Sequence, residues 1–403
     1  MTTHKLYWDE PFATTFAATV LEVAELGGAP SIVLDRTLFY PEGGGQLGDR
    51  GTLTIDGRDV AVRDTQVDDA GTVHHLLEGP IDGLRAGGPV GARIDRDRRR
   101  DFMSQHTGQH LLSRALIEIA RAETVSARLG EAASTIDTPL TALAEAALAR
   151  AEDLVNDLIL DDVAVRSHLP TPEELAAMPL RRAPKVTSGV RVIEVEGFDF
   201  TPCGGTHVAR TGQIGPVKIT GIERYKGGTR VTFLAGRRAL ADARGKDAIV
   251  RDLAKSFTCG ASEVPLAVAK LRAELKARTD AFAVARGELM QLIAERTLAA
   301  HPPDPSGTRV FVVREGDDLP TLRALSGALA RRPDVVAFVA SRDRETGEVL
   351  LVVERGSGVA FDAGAWFKKT AQSVGGRGGG RPERAEGRLP ATVDLPSSIE
   401  SLG

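Results

Sequence analysis

Two pairs of metal-type ligands at matched spacing constrain this chain more than any other feature. His106 and His110 lie in H-T-G-Q-H, and Cys203 and His207 lie in C-G-G-T-H. The first pair falls in a helix-forming run from Gln105 to Ala120, with Leu111, Leu112, Ala115, Leu116 and Ile119 at its apolar positions. Residues four apart share one face of a helix, so both imidazoles can reach one point. The second pair brackets two glycines, which let the backbone turn tightly enough for a thiolate and an imidazole to converge. One Cys and three His make a borderline-soft tetrahedral set that suits Zn2+ better than magnesium or calcium. The chain holds eight His and two Cys, and four of these residues occupy the two pairs, which argues for one shared site over coincidence. The alternatives for Cys203 are a buried small hydrophobe and a nucleophile with His207 or His106 as base. Cys259 reads as structural or incidental.

At 403 residues the chain exceeds one ordinary core, and two to four domains are expected. Its start has no basic-then-apolar signal pattern and no apolar run approaches spanning length, so no membrane association is expected. Two cysteines cannot build a disulfide framework, and a ligating Cys203 must be reduced, which points to the cytoplasm. A net charge of −4 argues against a uniformly basic nucleic-acid binder. From Trp366 to Pro390, however, Lys368, Lys369, Arg377, Arg381, Arg384 and Arg388 face only Glu383 and Glu386, or +6 − 2 = +4. Such a local stripe suits either a directed polyanion contact or a solvated tail.

The organisation reads as α+β. Residues 1–92 carry short alternating runs (Ala18–Val23, Ser31–Leu34, Gly51–Ile55, Val60–Val67, Thr72–Leu77) parted by turn residues, as in a small β-barrel or sandwich. Within them lies F-Y-P-E-G-G-G-Q-L-G-D-R-G. Gly43, Gly44 and Gly45 let the backbone line a pocket, and Gln46 and Asp49 supply hydrogen-bonding groups; a tight turn is the plainer alternative. Residues 93–240 read as a two-layer α/β domain. The histidine helix is preceded by the cluster Arg96 to Arg100, a second helix runs from about Leu140 to Leu160, and C-G-G-T-H is a loop between strands. Residues 241–303 form a helical spacer whose apolar spacing suits a homodimer, with plain helical packing the alternative. Residues 304–403 form a last α/β unit containing G-G-R-G-G-G-R-P, which reads as a linker or a phosphate-embracing loop, with Arg377 and Arg381 tilting it to anions. The last dozen residues are expected to be disordered.

H-T-G-Q-H, C-G-G-T-H and F-Y-P-E-G-G-G-Q-L-G-D-R-G, with the opening L-Y-W-D-E-P, resemble the AlaX family of free-standing alanyl-tRNA editing proteins. The final unit resembles the DHH-associated domain that closes alanyl-tRNA synthetase, which suits the long form of the family. The resemblance covers nearly the whole chain. It implies an N-terminal barrel, an editing domain of the threonyl/alanyl-tRNA synthetase type, a helical spacer and a tRNA-binding C-terminal domain. The implied activity is zinc-dependent hydrolysis of mischarged tRNA(Ala) in trans, chiefly Ser-tRNA(Ala) and also Gly-tRNA(Ala). By motif match His106, His110, Cys203 and His207 are the zinc ligands. The loop Gly43–Gly44–Gly45 with Gln46 and Asp49 lines the amino-acid pocket, and Thr37 senses the seryl hydroxyl. RNA contacts would divide between Arg98 and Arg99 near the acceptor end and Lys368, Lys369, Arg377 and Arg381 in the C-terminal unit. At Val125-Ser126-Ala127-Arg128 the chain departs from the family, which carries a bulky or polar pair after Val-Ser.

Selectivity would have a physical basis. A pocket made for alanine rejects serine weakly, whereas one that hydrogen-bonds the hydroxyl rejects alanine strongly. Four protein ligands also fill a tetrahedral shell, so a catalytic ion would need one ligand to yield or would act by positioning. Three rival readings are a zinc-stabilised RNA binder without catalysis, a threonyl-type editor and a phosphoesterase. The last needs an Asp-His-His cluster, and the only adjacent pair, His74-His75, follows Val73.

Overall fold

The computed structural model describes residues 3–79, 85–184, 189–303 and 307–393. The expected disorder of the last dozen residues lies almost wholly outside them. The chain divides into two compact units, 1–252 and 253–403.

In the first unit six antiparallel strands close a barrel in the order Thr15–Leu26, Ala29–Leu34, Val73–Leu77, Arg58–Val67, Gly51–Ile55 and Pro89–Ile94. Closure leaves no unpaired edge. Pro89–Ile94 alternates exposed and buried at every step, the period of a strand with one face inward. Ile32, Leu34, Leu38, Phe39, Leu53 and Leu77 fill the interior.

The barrel leads directly into the helix that carries His106 and His110, which spans Arg96–Ala120. Asp95 caps it by accepting from the amides of Asp97 and Arg98, both at 3.0 Å. Arg96 to Arg100 therefore form its first turns instead of preceding it. Its face of Leu111, Leu112, Ala115 and Leu116 packs with Ala151 and Val155 of the helix Glu145–Leu160 and with Val231 and Phe233. That second helix starts later than the sequence suggests, with Ala144 still extended. Four antiparallel strands lie under the helices, in the order Val217–Tyr225, Gly228–Ala235, Ser134–Thr138 and Ser126–Leu129. A second sheet runs Val165–His168, Val192–Val195, Asp199–Pro202. Gln105 clamps helix to sheet: its side chain donates to Ala235 O at 2.8 Å and accepts from Ala235 N at 3.1 Å.

The helical spacer is two helices, Arg237–Phe257 and Val264–Ala299. In the second unit Met290 and Ala294 of the latter join Leu322, Leu325 and Val339 in a core. That unit's sheet runs Thr308–Glu315, Val335–Arg342, Val349–Arg355, Arg384–Leu389, Arg377–Gly380. The Gly/Arg segment is thus neither linker nor open loop but an exposed edge strand. Gly378 and Gly380 are needed for this pairing, since a Cβ on them would lie 2.4 Å from Glu386 O and 2.2 Å from Arg384 O. Among the described residues no helix is long and apolar enough to cross a membrane.

Candidate metal centre

His106, His110, Cys203 and His207 converge, with their ligating atoms all within 4.8 Å of one another. The histidines of the helix stand one turn apart, with ring centroids 5.1 Å apart. The other pair arrives just after the strand Asp199–Pro202, and the Nε2 atoms of His106 and His207 each lie 3.4 Å from Cys203 Sγ. Gly205 makes this approach possible: a Cβ there would sit 2.1 Å from His106 Cε1.

Two of the imidazoles are oriented from other segments, His106 by the barrel loop and His207 by the helix. Gln46 Oε1 lies 2.8 Å from His106 Nδ1 and accepts from the Thr206 amide, while its Nε2 donates to Thr206 Oγ1 at 2.9 Å. An amide oxygen can only accept, so His106 Nδ1 carries the proton and Nε2 keeps its lone pair. Thr107 Oγ1 lies 3.1 Å from His207 Nδ1 and accepts from the Val208 amide. For His207 Nε2 to offer its lone pair to an ion, Nδ1 must donate to Thr107. The Nδ1 of His110 is enclosed and has no hydrogen-bond partner among the described residues.

The electrostatics suit a cation. Burial pushes His106 down to about 3, helped by Arg191 and Arg182. Burial, then His106, pushes His207 down to about 4, against the pull of Cys203. Burial, then His207 and His106, holds His110 well below its ordinary value. Burial alone would raise the Cys203 thiol, but His207, the Gly205 amide and Arg191 outweigh it and hold the thiol below its usual value. Neutral imidazoles beside a thiolate-prone cysteine, with the Nδ1 of His110 enclosed and unpartnered among the described residues, are a donor set that suits a borderline-soft divalent ion.

Several supporting residues were not legible in the sequence. Arg191 is buried and donates to Cys203 O at 3.2 Å and Gly205 O at 2.7 Å, and its Nε donates to Ser167 Oγ. Trp8 Nε1 donates to Gly204 O at 2.8 Å. Together they hold the carbonyls of C-G-G-T-H from outside. A lone arginine inside the apolar run Val190–Ile193 is the one signal that pointed to it.

The other expected site residues fall in different places. Gly44 and Gly45 expose their backbone beside the buried Gln46. The loop docks on the departure segment, where Leu129 N donates to Gly45 O at 2.7 Å. Asp49 is buried, accepts from the Tyr40 amide at 2.7 Å and pairs with Arg99. Arg99 is itself only 3% exposed and also donates to Pro11 O and Leu38 O. As placed it ties helix to barrel and offers nothing to a phosphate. Arg98 is half-buried, donating to Gly48 O and Glu131. Thr37 has 0% exposure. His75 Nδ1 donates to Ile32 O at 3.0 Å, so its Nε2 accepts from the Thr37 hydroxyl at 2.8 Å. Thr37 Oγ1 also accepts from the Phe39 amide. Its hydroxyl is thus engaged within the barrel wall, and no part of its surface is open to a ligand. Lys368, Lys369, Arg377 and Arg381 all stand exposed on the second unit.

Three family models match the chain: tRNA synthetases class II (A) over residues 11–98, the threonyl and alanyl tRNA synthetase second additional domain over 190–232, and the DHHA1 domain over 307–402. The chain is 34% identical to the alanine–tRNA ligase of Synechococcus sp. (strain JA-3-3Ab), over 90% of this chain and 42% of that protein. It is 32% identical to the ligase of Halobacterium salinarum, over 98% of this chain and 43% of the relative. It is 31% identical to that of Thermococcus kodakarensis, over 99% and 43%. The chain therefore spans less than half the length of these relatives. The C-Ala domain of Aquifex aeolicus alanyl-tRNA synthetase aligns with 24% of this chain and 87% of its own, at 25% identity and a TM-score of 0.22.

Proposed function

This chain is an AlaX-like, alanyl-tRNA synthetase-related protein, and we propose that it hydrolyses the ester of mischarged tRNA(Ala) in trans, chiefly Ser-tRNA(Ala) and also Gly-tRNA(Ala). The observation that carries this reading is the convergence of His106, His110, Cys203 and His207 from two distant segments onto one point. These four residues would hold Zn2+, which when bound supplies Lewis-acid polarisation or an anchor for a polar group of the substrate.

The chain's own residues supply orientation. Gln46 and Thr107 fix the imidazole tautomers, and Arg191 and Trp8 fix the loop that carries Cys203. The exposed backbone of Gly44 and Gly45 lines the approach for the aminoacyl group. An aminoacyl ester is already activated, so precise placement carries much of the rate. Lys368, Lys369, Arg377 and Arg381 would bind tRNA through its backbone, mostly by shape and charge. A cytoplasmic setting agrees with a reduced Cys203. The apolar stripe on the helix Val264–Ala299 suits a homodimer.

The test is deacylation by wild type and Cys203→Ala, with metal content measured on both. Loss of bound zinc together with loss of Ser-tRNA(Ala) hydrolysis supports the reading. Full zinc loading of a folded wild type that hydrolyses no aminoacyl-tRNA would leave only a zinc-stabilised RNA binder.

A further inference from the structure

The helix Arg96–Ala120 continues its ligand face beyond the histidines. Arg114 stands four residues past His110 and eight past His106, so it lies on the same face, one turn further on. This helix packs against the strand Asp199–Pro202. Asp199 on that strand is buried at 3% exposure, with its Oδ1 3.1 Å from Arg181 Nε and its Oδ2 accepting from Thr201 Oγ1. Arg181 also donates to Thr201 Oγ1 at 2.9 Å. Arg182 reaches Pro202 O at 3.5 Å, next to Cys203. The Nε of Arg114 and the Oδ1 of Asp199 are both enclosed and without a hydrogen-bond partner among the described residues, the latter engaged only in its ion pair with Arg181.

The charge count is uneven. Three guanidinium groups meet Asp199 and the thiolate-prone Cys203, 3 − 2 = +1, beside residues that would themselves hold a cation. Asp199 feels all three: burial raises its pKa, and Arg181, Arg114 and Arg182 each pull it down. Arg181 and Arg182 also act on His110, after burial, His207 and His106. An enclosed guanidinium nitrogen without an acceptor costs free energy, and a planar fork of donors matches phosphate oxygens.

We propose that Arg114 and Arg182, with Arg181 held in place by Asp199, form an anion subsite that binds a phosphodiester of the substrate's 3′ end beside the candidate metal centre. This rests on the deacylase reading above. The ester and the nearest backbone phosphate belong to neighbouring groups of one RNA strand, so a site for one places the other a short distance away. The subsite would hold the RNA strand beside the ligand set and would distinguish an RNA-borne ester from a free one.

The test compares seryl-tRNA(Ala) with 3′-O-seryl-adenosine, which carries the ester but no phosphate, on the zinc-loaded full chain. Arg114→Gln and Arg182→Gln are expected to raise KM for the tRNA severalfold with kcat kept, and to lower the salt slope of binding by about one for each guanidinium removed. The phosphate-free ester should be hydrolysed as by wild type, and Arg114→Lys should retain part of the salt slope. Unchanged KM and slope, or equal losses on both esters, would overturn the subsite. If wild type hydrolyses neither ester, the deacylase reading fails. Salt-dependent binding of uncharged tRNA by the same variants then decides the subsite alone, a reduced slope supporting it and an unchanged slope refuting it.

Discussion

Gln46 looks from its setting like a pocket residue, and its buried side chain is engaged with His106 and Thr206. Its type and its place after three glycines were legible; its partner was not, because His106 is sixty residues away in sequence. The same holds for Thr107, which sits inside H-T-G-Q-H yet braces the histidine of the other motif. Thr107→Val and Gln46→Ala should each weaken Co2+ or Zn2+ binding by about 10–100-fold, the usual cost of removing such a brace. Thr107→Ser should restore most of it, and a competitive chelator titration reads the effect directly. Unchanged affinity in both variants would mean that the braces do not orient ligands. Thr37 and Arg99 teach the converse lesson. Their residue types invite functional roles, and burial commits them to the barrel wall and to Asp49.

The buried histidines also set a pH dependence. Burial pushes His75 down to about 4 from an ordinary 6.5. The unfolded chain therefore binds more protons than the folded one between these values. Stability is complete above pH 6.5 and is lost as pH falls toward 4, by about 2 kcal/mol at pH 5 from this residue. The imidazoles of the metal-free ligand set push the same way. Urea midpoints of metal-free protein at pH 7 and pH 5 check this, and stability that holds or rises on acidification would contradict it.

At the scale of elements, periodicity revealed what local sequence controls. Alternation in the barrel strands and the apolar face of the ligand helix were both readable, because each element buries one side. Boundaries were less so. The ligand helix begins at Arg96 because Asp95 caps it, a signal hidden among five residues of high charge. The strand Arg377–Gly380 was unreadable, since a glycine-rich run has no side-chain alternation and takes its conformation from Arg384–Leu389 beside it. The helix Val264–Ala299 leaves an apolar stripe exposed: Leu271, Leu275, Phe282, Leu289 and Leu292 are each more than half exposed. With Val268 and Ala285 they recur at alternating spacings of three and four, interrupted only by Arg278, which is the seam of a two-stranded coiled coil. The wild type should therefore sediment as a dimer, and Leu275→Glu with Phe282→Glu as a folded monomer. A monomeric wild type would contradict the assignment of a second copy to this face.

At the scale of the molecule, two features make the account coherent. One unit gathers four candidate ligands and their braces from the barrel, a helix and a strand end. The other exposes four basic residues on a glycine-rich edge strand and its neighbouring helix. The grouping of His106, His110, Cys203 and His207 was legible in the sequence because its spacing is written into two short motifs. The arginines and the tryptophan around it were not, because their roles depend on a tertiary arrangement that no single segment encodes. The measurement that bears most directly on the central claim is the initial rate at which the zinc-loaded full chain deacylates Ser-tRNA(Ala) and Ala-tRNA(Ala), side by side. Rapid loss of the seryl ester with the alanyl ester spared is the predicted result. Equal rates on the two, or no hydrolysis of either, would contradict an editing function.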